Sequence, residues 1–433
     1  MNREDFIRDF GELGRRITEE GEGFTEAEVE LSVRGVSEMG VSEMGVSEVG
    51  LSEAGLSEER LSEVGLSERG LSEERLSEGV GRLAYAAGRS IEVNPWFTEY
   101  HIREAVCAIA QNYLQSEKLR AWLSVYPDRW YNFEKEITVV MAGNVPLVGY
   151  HDYLSVLASG RRVAVKLSSK DPFLLPALHE WLCSFAPAWR QVVRFVAEVP
   201  AADADGLSTS VADGLSTSVT DGLSTTVADG LSTTDAGGLI SSTTDGLIAT
   251  GSDVTAEWFA TRYPRLPKII RGHCVSVAVI HEAITEAQIS ALHRDMFLYF
   301  GLGCRSVVRL FVPQGFDLLR LTAFEQLPKE ASHTGFRNVY LRQKALLTLQ
   351  GHPFIDGGFF LLQPADDLNP PLSTIFYTRY THINEVVDYI QEHQTQLQCV
   401  VGVHSDLKKS INFGSAQNPQ LWDYANEIDT LNL

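Results

Sequence analysis

The chain has 433 residues, 44% of them hydrophobic, enough for two or three packed domains that each bury a core. Its formal charge of -21, from 36 basic and 57 acidic side chains, repels nucleic-acid phosphates and anionic membrane surfaces and argues against both as partners. Five widely spaced cysteines without a Cys-x-x-Cys pair, no apolar run near the roughly 20 residues that span a bilayer, and no secretory signal in MNREDFIRDFGELGRRITEE lead us to expect a metal-free, cytoplasmic protein.

After an N-terminal segment (1–34), residues 35–80 repeat a five-residue unit such as GVSEM or GLSEA. Each step of five turns a helix by about 140°, so its Val or Leu spirals round the axis, and in a strand it alternates between faces. Neither structure gains a buried side, and a disordered or transiently helical segment is expected. The carboxylates lack the spacing of a calcium-binding EF-hand loop.

Residues 81–270 read as a nucleotide-binding domain. NPWFTEYHIREAVCAIAQNYL carries Ile102, Val106, Ile109, Ala110 and Leu114 at helical spacing behind Thr98, a candidate N-cap. A strand (Ile137 to Met141), a Gly-Asn-Val-Pro turn and a helix (Val148 to Ala158) follow, then a strand through Val163 to Val165 and a helix from near Pro172. Strand, turn and helix twice over is the plan of a parallel nucleotide-binding sheet, whose ligands sit at the carboxyl ends of the strands, where Asn144 and Lys166 fall. QVVRFVAEV and DGLIATG are two more strands, parted by an eight-residue repeat (203–246) such as ADGLSTSV. That repeat has little to bury and reads as a surface-loop insertion, although its even period leaves a small hairpin stack or solenoid open.

A catalytic domain is expected over 271–400, with strands in CVSVAVI, CRSVVRLFVP and GFFLLQP and a helix over EAQISALHRDMFLYF. LQCVVGVH leads to a C-terminal segment (401–433), returning to the core or to a subunit contact.

The ordered motifs NPWFT, AGNVPLVGYHDYLSVLASG, VAVKLSS, IATGSDVTAEWF, YFGLGCRSV and AQNPQLWDYANEIDTL resemble the LuxC-type acyl-CoA reductases, the fatty-acid-reducing branch of the aldehyde dehydrogenase superfamily. The resemblance implies an aldehyde-dehydrogenase-like α/β fold, a Rossmann-type cofactor domain beside an α/β catalytic domain. It implies catalytic roles for Cys304, as nucleophile, and Asn144, whose amide holds the oxyanion. It assigns cofactor binding to Lys166 with Ser168 nearby, and to the Gly251-Ser252 turn. NADPH or NADH would be the reductant and an acyl-CoA or acylated protein the donor. Dimers or tetramers are common in the superfamily, which leaves a homo-oligomer open.

Chemistry points the same way. A thiolate accepts an acyl group and remains a tolerable leaving group, and the oxyanion formed on attack needs donors such as the Asn144 amide and the Cys304 N–H. Arg305, beside the thiol, is expected to favour the thiolate. The general-base glutamate of hydrolytic relatives is missing: KIIRGHCVSVAVI offers Ile269 or Ile270 there, with His273 close by. Its absence favours thioester reduction over aldehyde oxidation, because nothing activates water against the acyl-enzyme. Aldehyde oxidation, and a non-catalytic relative acting as an interaction protein, stay as alternatives.

Overall fold

A computed structural model describes residues 1–20, 79–127, 133–197, 244–405, 407 and 410–433. The expectations for the two repeats lie, but for their last few residues, outside the described residues.

Near-continuous apolar runs make a parallel sheet buried on both faces. Its strands are β1 (Glu136–Val140), β2 (Arg162–Lys166), β3 (Val193–Val196), β4 (Gly246–Thr250) and β5 (Lys268–Arg271), in the order β3-β2-β1-β4-β5. The register sets Val139 against Val165 on one side and Ile248 on the other. Among the described residues, four helices precede it in the chain: α1 (Arg3–Glu20), α2 (Gly79–Val93), α3 (Glu99–Asn112) and α4 (Ser116–Ser124). Helices α5 (Tyr150–Ala158), α6 (Leu174–Phe185) and α7 (Asp253–Arg262) connect β1 to β2, β2 to β3 and β4 to β5. The core of this half buries Trp181 and Trp189 with Phe6 and Phe10 of α1, and the Trp189 indole N–H donates to Asp9 at 2.9 Å.

The chain runs β1, β2, β3 towards one edge and then returns to place β4 on the other side of β1. Such a reversal opens a crevice outside the carboxyl ends of the two central strands, here β1 and β4. In the sequence, the octapeptide repeat lies between the end of β3 and the start of β4, and nearly all of it is outside the described residues.

Immediately after β5 the chain enters a second sheet, ordered β12-β11-β6-β7-β10-β9-β8. It comprises β6 (Val275–Val279), β7 (Val307–Pro313), β8 (Ile355–Asp356), β9 (Leu361–Pro364), β10 (Thr374–Tyr380), β11 (Leu397–Val401) and β12 (Ser410–Ile411). All pairs are parallel except β8 with β9. Helix α8 (Glu286–Phe297) leads from β6 to β7, α9 (Thr334–Gln350) lies between β7 and β8, and α10 (Ile383–Glu392) joins β10 to β11.

Two expectations are corrected. The helix read through to Phe300 stops at Phe297, because Tyr299 and Phe300 adopt left-handed backbone (φ 59° at both) and Gly301 follows them (φ 73°). The helix expected from near Pro172 begins at Leu174. No helix among the described residues is long and apolar enough to cross a membrane.

Candidate active site

The loop after β1 is built for close approach. A Cβ on Gly143 would stand 2.4 Å from the Ser168 hydroxyl oxygen, so only glycine lets this loop lie against the loop after β2. Asn94, buried, ties the two together by donating its amide to the carbonyls of Gly143 (3.2 Å) and Lys170 (3.3 Å). Asp171 accepts the N–H of Leu147 at 2.9 Å, and Leu147 itself is left-handed (φ 57°). Between these anchors stands Asn144. Its side-chain amide donates to the Leu302 carbonyl at 2.6 Å, across to the segment that carries Cys304.

That segment leaves α8 through the left-handed turn at Tyr299–Gly301. The Leu302 N–H donates to the Tyr299 carbonyl (3.0 Å), the Ser306 N–H to the Gly303 carbonyl (3.0 Å), and the Ser276 hydroxyl of β6 to the carbonyl of Cys304 (2.9 Å). A Cβ on Gly303 would lie 3.4 Å from a Val145 methyl, so the loop holding Asn144 and the turn holding Cys304 are in contact across the two sheets.

The remaining positions read from the sequence lie at strand ends of the first sheet. Lys166 closes β2, half-buried, with its ammonium donating to the Leu167 carbonyl at 3.3 Å. Ser168 accepts the Lys170 N–H at 3.2 Å and abuts Gly143. Gly251 follows β4 and donates its N–H to Arg271 of β5. Ser252 caps α7, its hydroxyl accepting the Thr255 N–H at 3.3 Å, so the positive end of that helix faces the carboxyl edge of the sheet. Asn144 and the Cys304 turn are thus brought into contact, Ser168 adjoins them through Gly143, Lys166 stands at the end of β2, and Gly251-Ser252 lie across β1 at the end of β4.

A family model described as acyl-CoA reductase (LuxC) matches residues 115–327, a stretch that holds all six of these positions. The match spans just under half of the chain. The match supports aldehyde or acyl-CoA redox chemistry. Among solved structures, the chain is similar to HpcC from Thermus thermophilus (11% identity, 93% of this chain and 75% of that one, TM-score 0.51). It is also similar to aldehyde dehydrogenase 21 from Physcomitrella patens in complex with succinate (12%, 77% and 74%, TM-score 0.48) and to a Mycobacterium tuberculosis aldehyde dehydrogenase complexed with NAD+ (15%, 73% and 70%, TM-score 0.45). The fold is aldehyde-dehydrogenase-like. No curated protein sequence matches the chain.

The electrostatics of Cys304 depart from expectation. Its surface is open, yet protein surrounds the thiol on most sides, as at the floor of a cleft. That burial pushes its pKa up to about 11; Arg305 and the residue's own backbone N–H pull it down by less, while Cys399 and Cys274 push it up. Arg305 therefore does not make the resting thiol a thiolate, because desolvation outweighs its charge. Its guanidinium turns away, donating to the Cys399 sulfur (3.2 Å) and to the carbonyls of Ala416 and Asp423 (3.3 Å each). Of the other thiols, Cys183, Cys274 and Cys399 are buried, and Cys107 is half-buried.

Ile269 packs in the first core and Ile270 against the cluster of Val140, Leu247, Ala249, Phe259 and Tyr263, so the strand read as the place of a general-base glutamate presents two apolar side chains. His273 is exposed and its backbone N–H donates to Asp253 at 2.7 Å. Sequence reasoning passed over Asp171, Asp295, Ser276, His101 and Glu330, which hold these loops; Ser276, a polar residue inside the apolar run CVSVAVI, carried a signal, and the other four stand in mixed stretches that carry none. The aromatic residues of PQLWDYAN separate: Tyr424 accepts the Trp122 indole N–H at 2.6 Å, whereas Trp422 is 53% exposed.

Proposed function

We propose that the protein reduces the acyl group of an acyl-CoA, or of an acylated protein, to the aldehyde through a thioester on Cys304. The observation that carries this reading is the 2.6 Å contact of the Asn144 amide with Leu302, which holds a strong donor at the turn bearing the nucleophile. On this reading residues 81–270 hold the cofactor, 271–400 carry the nucleophile, and 401–433 return to the core.

The crevice fits a dinucleotide. Helix α7 turns its N-terminus to the carboxyl end of β4, Gly251 puts no side chain in the way, and Lys166 offers a cation at the neighbouring end of β2. Lys166 and Ser168 would hold the adenosine half, and Gly251 and Ser252 the pyrophosphate and nicotinamide half. When bound, NADPH or NADH supplies the hydride that turns the acyl carbon into the aldehyde carbon.

Cys304 loses its proton to the departing thiolate or to water, attacks the thioester carbonyl, and expels the donor thiol; the acyl group is then held as a Cys304 thioester. Asn144 exchanges its bond to Leu302 for the oxyanion, joined by the Cys304 N–H. Once the acyl carbon is reduced, the tetrahedral oxyanion collapses, the Cys304 sulfur leaves as thiolate and the aldehyde is released. With Ile269 and Ile270 where hydrolytic relatives carry a base, the thioester survives water long enough to be reduced, which favours reduction over aldehyde oxidation. Five free thiols suit a reducing, cytoplasmic compartment.

The test follows loss of reduced-nicotinamide absorbance with a long-chain acyl-CoA, in wild type and Cys304→Ala. Wild type should consume NADPH and release free CoA while the variant does neither. Equal activity in both would remove Cys304 from the reaction, and aldehyde-dependent NAD+ reduction without any CoA requirement would favour the oxidative alternative.

A further inference from the structure

We propose that the buried pair His101–Glu330 is a positioning device for Cys304. It orients the two left-handed residues from which the cysteine turn springs, and so sets where the thiol and the Asn144 amide meet. The inference rests on reading Cys304 as the acyl carrier.

His101, in the first turn of α3, and Glu330, in the short turn Lys329–Ser332, are 1% and 3% exposed. The imidazole is fixed at both nitrogens: Nε2 lies 2.7 Å from the Glu330 carboxylate and Nδ1 3.0 Å from the Thr98 hydroxyl. Two directional contacts leave the ring one plane to lie in. Against that ring pack the side chains of Tyr299 (centroids 5.3 Å apart) and Phe300 (4.7 Å, edge-on). Phe300 is held further by Trp96 at 5.2 Å and His333 at 4.6 Å.

Two consecutive non-glycine residues in left-handed backbone persist only where the surroundings over-determine them, and His101 is in contact with both. The consequence travels a short way. Leu302 donates its N–H to the Tyr299 carbonyl and takes the Asn144 amide on its own carbonyl, and Cys304 stands two residues on. A turn of the His101 ring would shift Tyr299 and Phe300, and with them the contact between Asn144 and the nucleophile's segment.

For mere cohesion an apolar contact would serve, since a buried polar pair gains little over well-packed hydrocarbon. Hydrogen bonds add direction. Glu330→Gln keeps an oxygen to accept the Nε2 proton, and Glu330→Ala does not, so the two variants separate ring orientation from charge.

Full-length wild type and both variants are compared in two ways: the rate at which iodoacetamide labels Cys304, read on the Cys304 peptide by mass spectrometry, and kcat and KM in acyl-CoA-dependent NADPH oxidation. Glu330→Ala, folded by circular dichroism, should change labelling about fivefold and lower kcat about tenfold or more at a KM within about twofold of wild type, as expected for a misplaced reacting group. Glu330→Gln should stay within about threefold of wild type in both readouts.

Wild-type labelling and kcat in a folded Glu330→Ala protein, or equal losses in the glutamine and alanine variants, overturn the proposal. Should Glu330→Ala fail to fold, Thr98→Val, which frees Nδ1 and also removes the N-cap bond from the His101 N–H, carries the test in a protein whose helix content by circular dichroism matches wild type: kcat about threefold lower at unchanged KM supports the proposal, and wild-type values refute it. If wild type itself shows no acyl-CoA-dependent oxidation, the reductase reading fails while the labelling rates still decide the positioning.

Discussion

A thiol held near pH 11 is almost wholly protonated at neutrality, about one thiolate in ten thousand at pH 7. Labelling of Cys304 by iodoacetamide in the free protein should therefore rise about tenfold per pH unit from pH 7 to about pH 10, followed on the Cys304 peptide. A plateau by about pH 8 would mean that Arg305 outweighs burial after all. Adjacency in sequence misled here: Arg305 follows Cys304, but successive side chains leaving a turn point apart, and the guanidinium is taken by carbonyls of residues 416 and 423. Asn144 was legible because a Gly-Asn-Val-Pro turn after an apolar strand has one place to go in a parallel sheet. Nothing local shows that its amide reaches Leu302, 158 residues away in the chain.

Helix α8 delivers two things at its carboxyl end, the Tyr299–Gly301 turn and Asp295. Left-handed backbone at Tyr299 and Phe300 costs on the order of 1–3 kcal/mol for each residue, and both rings are buried in return, at 7% and 2% exposure. The sequence reads straight through this break because Tyr and Phe are ordinary helix residues, and only Gly301 hints at a stop. Asp295, fully buried, accepts the N–H groups of Gly414 (2.6 Å) and Ala416 (3.0 Å), yet burial pushes its carboxyl up to about 6. A carboxyl whose pKa rises on folding holds its proton more tightly in the folded state. The stability it contributes is therefore complete below about pH 4 and is lost as pH climbs through about 6, on the order of 3 kcal/mol in all. Asp295→Asn has no such step, so the stability advantage of wild type over the variant should shrink between pH 4 and pH 7, measured by urea midpoints at each pH. A gap that stays constant or widens would show the carboxyl to be ionised throughout.

At the scale of the molecule, the alternation of apolar runs and turns made the first sheet legible nearly strand by strand, because parallel strands buried on both faces leave little to ambiguity. The second sheet was half legible: Val275–Val279 and Val307–Pro313 stand out, while two-residue strands such as Ile355–Asp356 and Ser410–Ile411 have no pattern to read. The connection from β3 to β4 must pass over β2 and β1, roughly 14 Å sideways and 17 Å back along the strands, which about 7–10 extended residues span. Deleting 206–237, four octapeptide units, leaves more than that. Such a deletion should keep the thermal midpoint within about 3 °C and kcat within about twofold, since cutting a loop to about a third of its length changes its closure entropy by only about 0.9 kcal/mol. An insoluble or inactive product would show that the repeat takes part in the fold. The return of the last residues to the first sheet has a further consequence, in time. Leu421 and Leu431 are buried in that core, Thr430 takes a hydrogen bond from Arg271, and Arg161 donates to the carbonyls of residues 431 and 433. At about 5–20 residues per second, a ribosome that has finished β2 needs roughly 13–50 s more before these partners are made. For that interval the earliest-made half of the protein carries an open apolar seam, and it is during synthesis, more than in the finished molecule, that a holding chaperone has something to bind.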